Sequence, residues 1–151
     1  MPSPHGLKPL IIDANLAVYV LTAAISSYAE VQNFLERQVE AGRPWLAPHL
    51  WRLEVASTLH KLRRAGHLQE NLLNEVLESF WQWPVEIIPS DRAIIERALR
   101  WAERIRDRVI YDSVYLALAE HMGADFWTAD GKLYRRAREA GADFVFLMRT
   151  D

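Results

Sequence analysis

The apolar positions of this chain change rhythm every ten to twenty residues, from unbroken short runs to helical spacing and back. Pro9-Leu10-Ile11-Ile12-Asp13 is a β-branched run without alternation, which predicts a strand covered on both faces of a parallel sheet and ended by an acid. A short helix from about Asn15 to Leu21 follows. Ser27-Tyr28-Ala29-Glu30 has the Ser-x-x-Glu form of a capping box ahead of Val31, Phe34, Leu35 and Val39, and Gly42 closes that helix. Pro44 to Pro48 reads as a short strand, His49 to Ala65 as a long helix ended by Gly66, and Glu70 to Phe80 as another helix.

Val85 to Ile88 is strand-like, with Ser90 or Asp91 available to cap a helix carrying Ile94, Ile95, Ala98, Leu99 and Ala102. Arg104 to Arg108 reads as its solvated end. Helix resumes from Tyr111 to Met122, Gly123 stops it, and Ala124 to Thr128 supplies another buried strand. Gly123-Ala-Asp-Phe126 recurs as Gly141-Ala-Asp-Phe144, each time a helix-ending glycine turning into a strand; without a third copy it is loop chemistry, not a solenoid repeat. Strands alternating with helices predict an α/β fold with a parallel sheet and right-handed crossovers.

Composition narrows the chemistry. At 151 residues, half of them apolar, a single domain over 1–151 is expected. With 18 Lys plus Arg against 20 Asp plus Glu the net charge is −2, so any contact with nucleic acid must be local. No apolar run is long enough to span a bilayer, and Met1-Pro-Ser-Pro-His-Gly6 lacks the regions of a secretory signal, which predicts a cytoplasmic protein. The absence of cysteine removes thiolate metal sites and cysteine nucleophiles together, leaving carboxylates as the leading candidates. Six Trp supply large buried areas, with Trp81 and Trp83 open to either core packing or contact with a partner.

Ligands of open α/β sheets sit beyond the carboxyl ends of the strands, and four acids are placed to reach that edge. Asp13 ends the first strand, Asp130 lies just past Thr128, and Asp112 occupies the first turn of a helix. Glu54 falls at the margin of the stripe Trp51, Val55, Leu59 and Leu62, beside Thr58. Singly, each has a plainer reading: Asp13 and Asp130 as helix caps, Asp112 as a first-turn charge, Glu54 as half of an ion pair. Together they repel, by about 4 kcal/mol for two charges 4 Å apart near a surface. Protonation would relieve this for some of them, but hard divalent cations such as Mg²⁺ or Mn²⁺ do so at neutral pH and suit phosphodiester hydrolysis.

Other chemistries find no support. There is no G-x-x-x-x-G-K loop, no G-x-G-x-x-G and no H-E-x-x-H among His5, His49, His60, His67 and His121. Ser57 and Ser113 sit in predicted helices without a nucleophile elbow.

Ile-Ile-Asp13-Ala-Asn15, Ala-Pro-His-Leu-Trp-Arg-Leu-Glu54-Val-Ala-Ser, Tyr-Asp112-Ser-Val-Tyr-Leu-Ala-Leu-Ala-Glu and Thr128-Ala-Asp130-Gly-Lys-Leu, in this order, resemble a PIN-domain nuclease. The resemblance covers nearly the whole chain and is closest to the single-domain VapC-type toxins of toxin–antitoxin pairs. It implies a three-layer αβα sandwich around a parallel five-stranded sheet and Mg²⁺- or Mn²⁺-dependent RNA cleavage leaving 5′-phosphate and 3′-hydroxyl ends. It further implies Asp13 and Asp112 as direct metal ligands, with Glu54 and Asp130 completing the shell or binding through water. Asn15 and Thr128 match accessory polar positions, Thr128 fixing geometry by hydrogen bonding. A cognate antitoxin and a homodimer are the implied partners.

Lys61, Arg63 and Arg64 beyond Glu54, and Lys132, Arg135, Arg136 and Arg138 beyond Asp130, either flank the acidic edge and neutralise RNA phosphates or form solvated helix faces. Two other functions compete with the nuclease. One is a phosphatase on a similar sheet, although Asn15 departs from the Asp-x-Asp of haloacid-dehalogenase-like enzymes. The other is a non-catalytic module of the same fold that holds an antitoxin or RNA; four intact acids disfavour it.

Overall fold

A computed structural model describes residues 6–22 and 29–149. Its elements run β1 (Leu10–Ile12), α1 (Ala14–Leu21), α2 (Ala29–Glu40), β2 (Trp45–Pro48), α3 (His49–Arg64), α4 (Glu70–Trp81), β3 (Val85–Ile88), α5 (Arg92–Ile105), α6 (Tyr111–Met122), β4 (Asp125–Thr128), α7 (Gly131–Glu139) and β5 (Val145–Leu147). Each strand and helix expected from the pattern is present. The expected capping box starts at Ser27 and His5 lies near the start; both positions fall outside the described residues.

The five strands are parallel and ordered β3-β2-β1-β4-β5. From β1 the chain moves outward through β2 to β3, then crosses back past β1 to β4 and on to β5, so strand order reverses between β1 and β4. Right-handed crossovers in opposite directions put α1 to α4 on one face and α5 to α7 on the other, giving the αβα sandwich. β1 is central and buried along its whole length, as its unbroken apolar run requires. β4 departs from the expected buried strand: its exposure alternates, with Phe126 and Thr128 fully covered while Asp125 and Trp127 are half-buried. Phe34 and Phe146 cover the Trp127 ring, at 4.7 and 5.0 Å between centroids.

The aromatic residues sort by position. Trp51 is buried among Trp45, Phe80 and Trp83, with ring centroids 6.1, 4.9 and 6.3 Å away, which joins β2, α3 and the end of α4. Trp83 is thus half-buried against the core, whereas Trp81 is 63% exposed beneath the Arg52 guanidinium. On α5 the buried stripe is Ile94, Ala98, Trp101, Ala102 and Ile105. Leu99 faces outward, because the stripe follows the 3.6-residue period through Trp101 and places Leu99 off its edge.

The stretch Arg104 to Arg108 is not the simple solvated helix end its charges suggest. α5 stops at Ile105, which is buried, and Arg106 turns into the left-handed region at φ 55°. Among the described residues no helix is long and apolar enough to cross a membrane.

Candidate active site

The reversal of strand order leaves a crevice at the carboxyl ends of β1 and β4, where Asp13 directly follows β1 and Asp130 lies two residues past β4. Both are helix caps, as the plainer reading has it: Asp13 accepts from the Leu16 amide at 2.8 Å, and Asp130 Oδ1 from Lys132 and Leu133 at 2.9 and 3.1 Å. Capping occupies Oδ1 of each, and the second Asp13 oxygen is held within the fold as well. A pocket there is lined by Asp13, Asn15, Glu54, Thr58, Asp112, Tyr115 and Asp130, with Ala14, Phe126 and Leu133 as its apolar walls. The structure therefore brings all four acids, and Asn15, to one place.

Each acid is held by a different part of the fold. Thr128, fully buried at the end of β4, donates its hydroxyl to Asp13 Oδ2 and accepts from the Asp130 amide at 3.0 Å. The same Asp13 oxygen lies 3.3 Å from the Ala129 amide. Thr128 therefore ties the first acid to the last. It reaches the site through Asp13, as it does not itself line the pocket. Glu54 sits half-buried on α3, its Oε1 accepting from the Tyr115 hydroxyl at 2.9 Å. Tyr115 is one turn along α6 from Asp112, and its buried ring stacks on Phe126 at 5.3 Å. The sequence does not single out Tyr115; the signal it offers is a hydroxyl three residues after Asp112, on the same face of α6.

Burial raises the Asp13 carboxyl from 3.8 to about 6, against the lowering effect of its three hydrogen bonds and with a smaller push from Asp130. Burial also raises Glu54, opposed by the Tyr115 bond and reinforced by Asp112 and Asp13. Asp112 is raised by burial and by Asp107 and Asp130, with Arg136 the opposing charge. Tyr115 is itself held well above the ordinary phenol range by burial and by Glu54, so it acts as a donor at any physiological pH.

No Lys or Arg lines the pocket. Arg63 pairs with Glu70, Arg135 and Arg136 donate to backbone carbonyls of Gly131 and Ile105, and Arg138 lies over Tyr134 and Phe146. Among the described residues no three carboxylates or imidazoles stand close enough to form a ready-made cation cage. The site is thus a set of hard oxygen donors that raise one another's pKa, with Arg136 acting on Asp112 from outside the lining, and such a donor set suits a divalent ion of the Mg²⁺ or Mn²⁺ type.

Residues 10–139 match the family described as the PIN domain. The chain belongs to that family. This PIN domain is 29% identical over 125 residues to ribonuclease VapC3 of Pyrobaculum aerophilum, a match that spans 82% of the chain and 91% of the relative. Its fold is similar to VapBC2 from Rickettsia felis, solved bound to a DNA fragment from their promoter, with a TM-score of 0.65 at 16% identity over 94% of this chain and 98% of that one. A toxin–antitoxin complex from Klebsiella pneumoniae superposes with a TM-score of 0.57 at 16% identity, covering 91% and 95%. The site of this PIN domain lies inside the matched segment, from Asp13 to Asp130.

Proposed function

We propose that this PIN domain is a metal-dependent endoribonuclease that hydrolyses RNA phosphodiester bonds as the toxin of a toxin–antitoxin pair. The observation that carries the reading is the pocket itself: four acids from four separate parts of the chain share one crevice that no cationic side chain lines. The similarity to a relative named a ribonuclease supports the activity, and the toxin–antitoxin complexes among its structural neighbours support a cognate antitoxin as partner. A homodimer and a cytoplasmic location belong to the same reading.

Asp13, Glu54, Asp112 and Asp130 are the residues that would hold Mg²⁺ or Mn²⁺, Asp13 and Asp112 directly. When bound, the ion supplies polarisation of a phosphoryl oxygen and lowers the pKa of a water. The chain does the positioning. Thr128 and two backbone amides fix the Asp13 carboxylate, and Tyr115 fixes Glu54. Asp112, on the first turn of α6, lies where the helix dipole favours negative charge. Asn15, exposed at the rim, is placed to donate to a substrate phosphate or sugar oxygen.

The test is incubation with total RNA, with Mn²⁺ or with chelator, followed by mapping of the cut ends. Cleavage that requires the ion, leaves 5′-phosphate and 3′-hydroxyl ends and disappears in Asp13→Asn is the expected result. RNA left intact by the wild type would refute the reading in favour of a binding module, and undiminished cutting by Asp13→Asn would remove Asp13 from the machinery.

A further inference from the structure

A second polar groove, of about 480 Å³, lies between the end of α5 and the last two turns of α7, lined by Arg104, Ile105, Arg106, Arg136, Glu139 and Ala140. Three guanidiniums against one carboxylate leave it cationic. Two of them are braced from behind. Arg136 donates from Nε and Nη2 to the Ile105 carbonyl at 3.0 and 2.6 Å, with Asp107 3.8 Å away. Arg104 stacks on Trp101 at 4.0 Å and donates to the Ala140 carbonyl; beside it, a Cβ on Gly141 would approach Arg104 Nη2 to 3.2 Å.

Arg106 differs from both. Its side chain is exposed and has no hydrogen-bonding or ion-pair partner among the described residues. It is also the one non-glycine described at positive φ, where the chain otherwise places Gly6, Gly42, Gly66, Gly123 and Gly141. The Arg106 amide caps α5 on the Ala102 and Glu103 carbonyls, which glycine would do at lower cost, so the turn itself does not require the arginine side chain. Arg136 lies six residues beyond Asp130 on α7, about 9 Å along the helix axis, so the groove and the acid pocket share one helix.

We infer that Arg104, Arg106 and Arg136 form a phosphate-binding subsite for the backbone of a single RNA strand whose neighbouring segment enters the acid pocket. The inference rests on the ribonuclease reading above. Arg106 offers a free guanidinium fork for phosphate oxygens, while Arg104 and Arg136, whose Nη2 groups already donate to backbone carbonyls, add fixed positive charge with little further loss of freedom. Arg106 supplies the contact that can be removed without disturbing the fold.

The test measures binding of a short fluorescein-labelled single-stranded RNA by anisotropy, in chelator so that nothing is cut, across a range of salt. Arg106→Gly is expected to unfold at the same temperature as the wild type or higher. It is expected to bind the RNA about fivefold more weakly near ~0.1 M salt and to lose about 0.7 from the slope of log K against log salt, with Arg106→Lys retaining the slope. Unchanged affinity and slope in Arg106→Gly, in a protein whose wild type binds and cuts RNA, overturns the subsite and leaves the nuclease standing. No RNA binding by the wild type overturns both. Calorimetric binding of inorganic phosphate by the wild type but not by Arg106→Gly, with equal RNA affinities, marks a free-anion site and overturns the strand assignment.

Discussion

Tyr115 donates its hydroxyl to Glu54 Oε1 at 2.9 Å across 61 residues of sequence, and this bond orients an acid that would otherwise swing at the margin of its helix. Because Glu54 and Asp112 stand on different helices, the same tyrosine also couples α3 to α6 beside the crevice.

Tyr115→Phe keeps the ring that stacks on Phe126 and removes only the donor. The expected cost in stability is about 1 kcal/mol, read by denaturant unfolding. Glu54 loses the bond that lowers its pKa, so its carboxyl rises further and cleavage at neutral pH falls by about tenfold or more with KM for RNA little changed. An unaltered kcat would show that Glu54 needs no orientation.

The buried Asp13 makes metal-free stability depend on pH. Its carboxyl titrates at about 6 in the folded chain and near 3.8 unfolded, so between these values the folded state keeps a proton the unfolded state has released. Stability of the chelated protein is therefore greatest below about pH 4 as far as this group is concerned, and falls as pH rises to about 6. The gap corresponds to about 3 kcal/mol as an upper bound. Thermal unfolding in chelator at successive pH values should show the fall, and Asp13→Asn should flatten it. A wild-type profile as flat as that of the variant would contradict the burial of the charge.

Saturating Mn²⁺ at pH 7 should raise the unfolding temperature by binding the folded state alone. Glu54→Gln is expected to weaken Mn²⁺ binding about tenfold by calorimetric titration. Equal affinity would return Glu54 to a structural role.

Thr128→Val is close to isosteric but strips a donor from Asp13 and an acceptor from the Asp130 amide. A loss of about 2 to 3 kcal/mol in chelator is expected, together with an Asp13 titration above about 6 followed by NMR. No change in either quantity would mean that the Thr128 hydroxyl is dispensable.

Trp51→Ala removes the ring around which Trp45, Phe80 and Trp83 gather, and should cost about 3 to 5 kcal/mol. Trp81→Ala, on the exposed side, should stay within about 0.5 kcal/mol. Comparable losses for the two would contradict the division between core and surface tryptophans.

Much of this protein is written locally. The unbroken run before Asp13, the helical stripe around Glu54 and the glycines at 42, 66, 123 and 141 act over a few residues, through pleat, helical period and left-handed backbone, so element types and the strand-end acids were legible without a structure. The alternation in β4 was not, because Phe126 and Trp127 are both large and apolar and only the neighbouring elements decide which one is sealed. Strand order β3-β2-β1-β4-β5, the meeting of Thr128 with Asp13, the Tyr115 bond and the bracing of Arg104 and Arg136 all join residues far apart in the chain. Pairings of that kind leave no periodic trace in a single sequence. They are chosen when whole faces are buried at once, and only the assembled sheet and its two helical layers specify them.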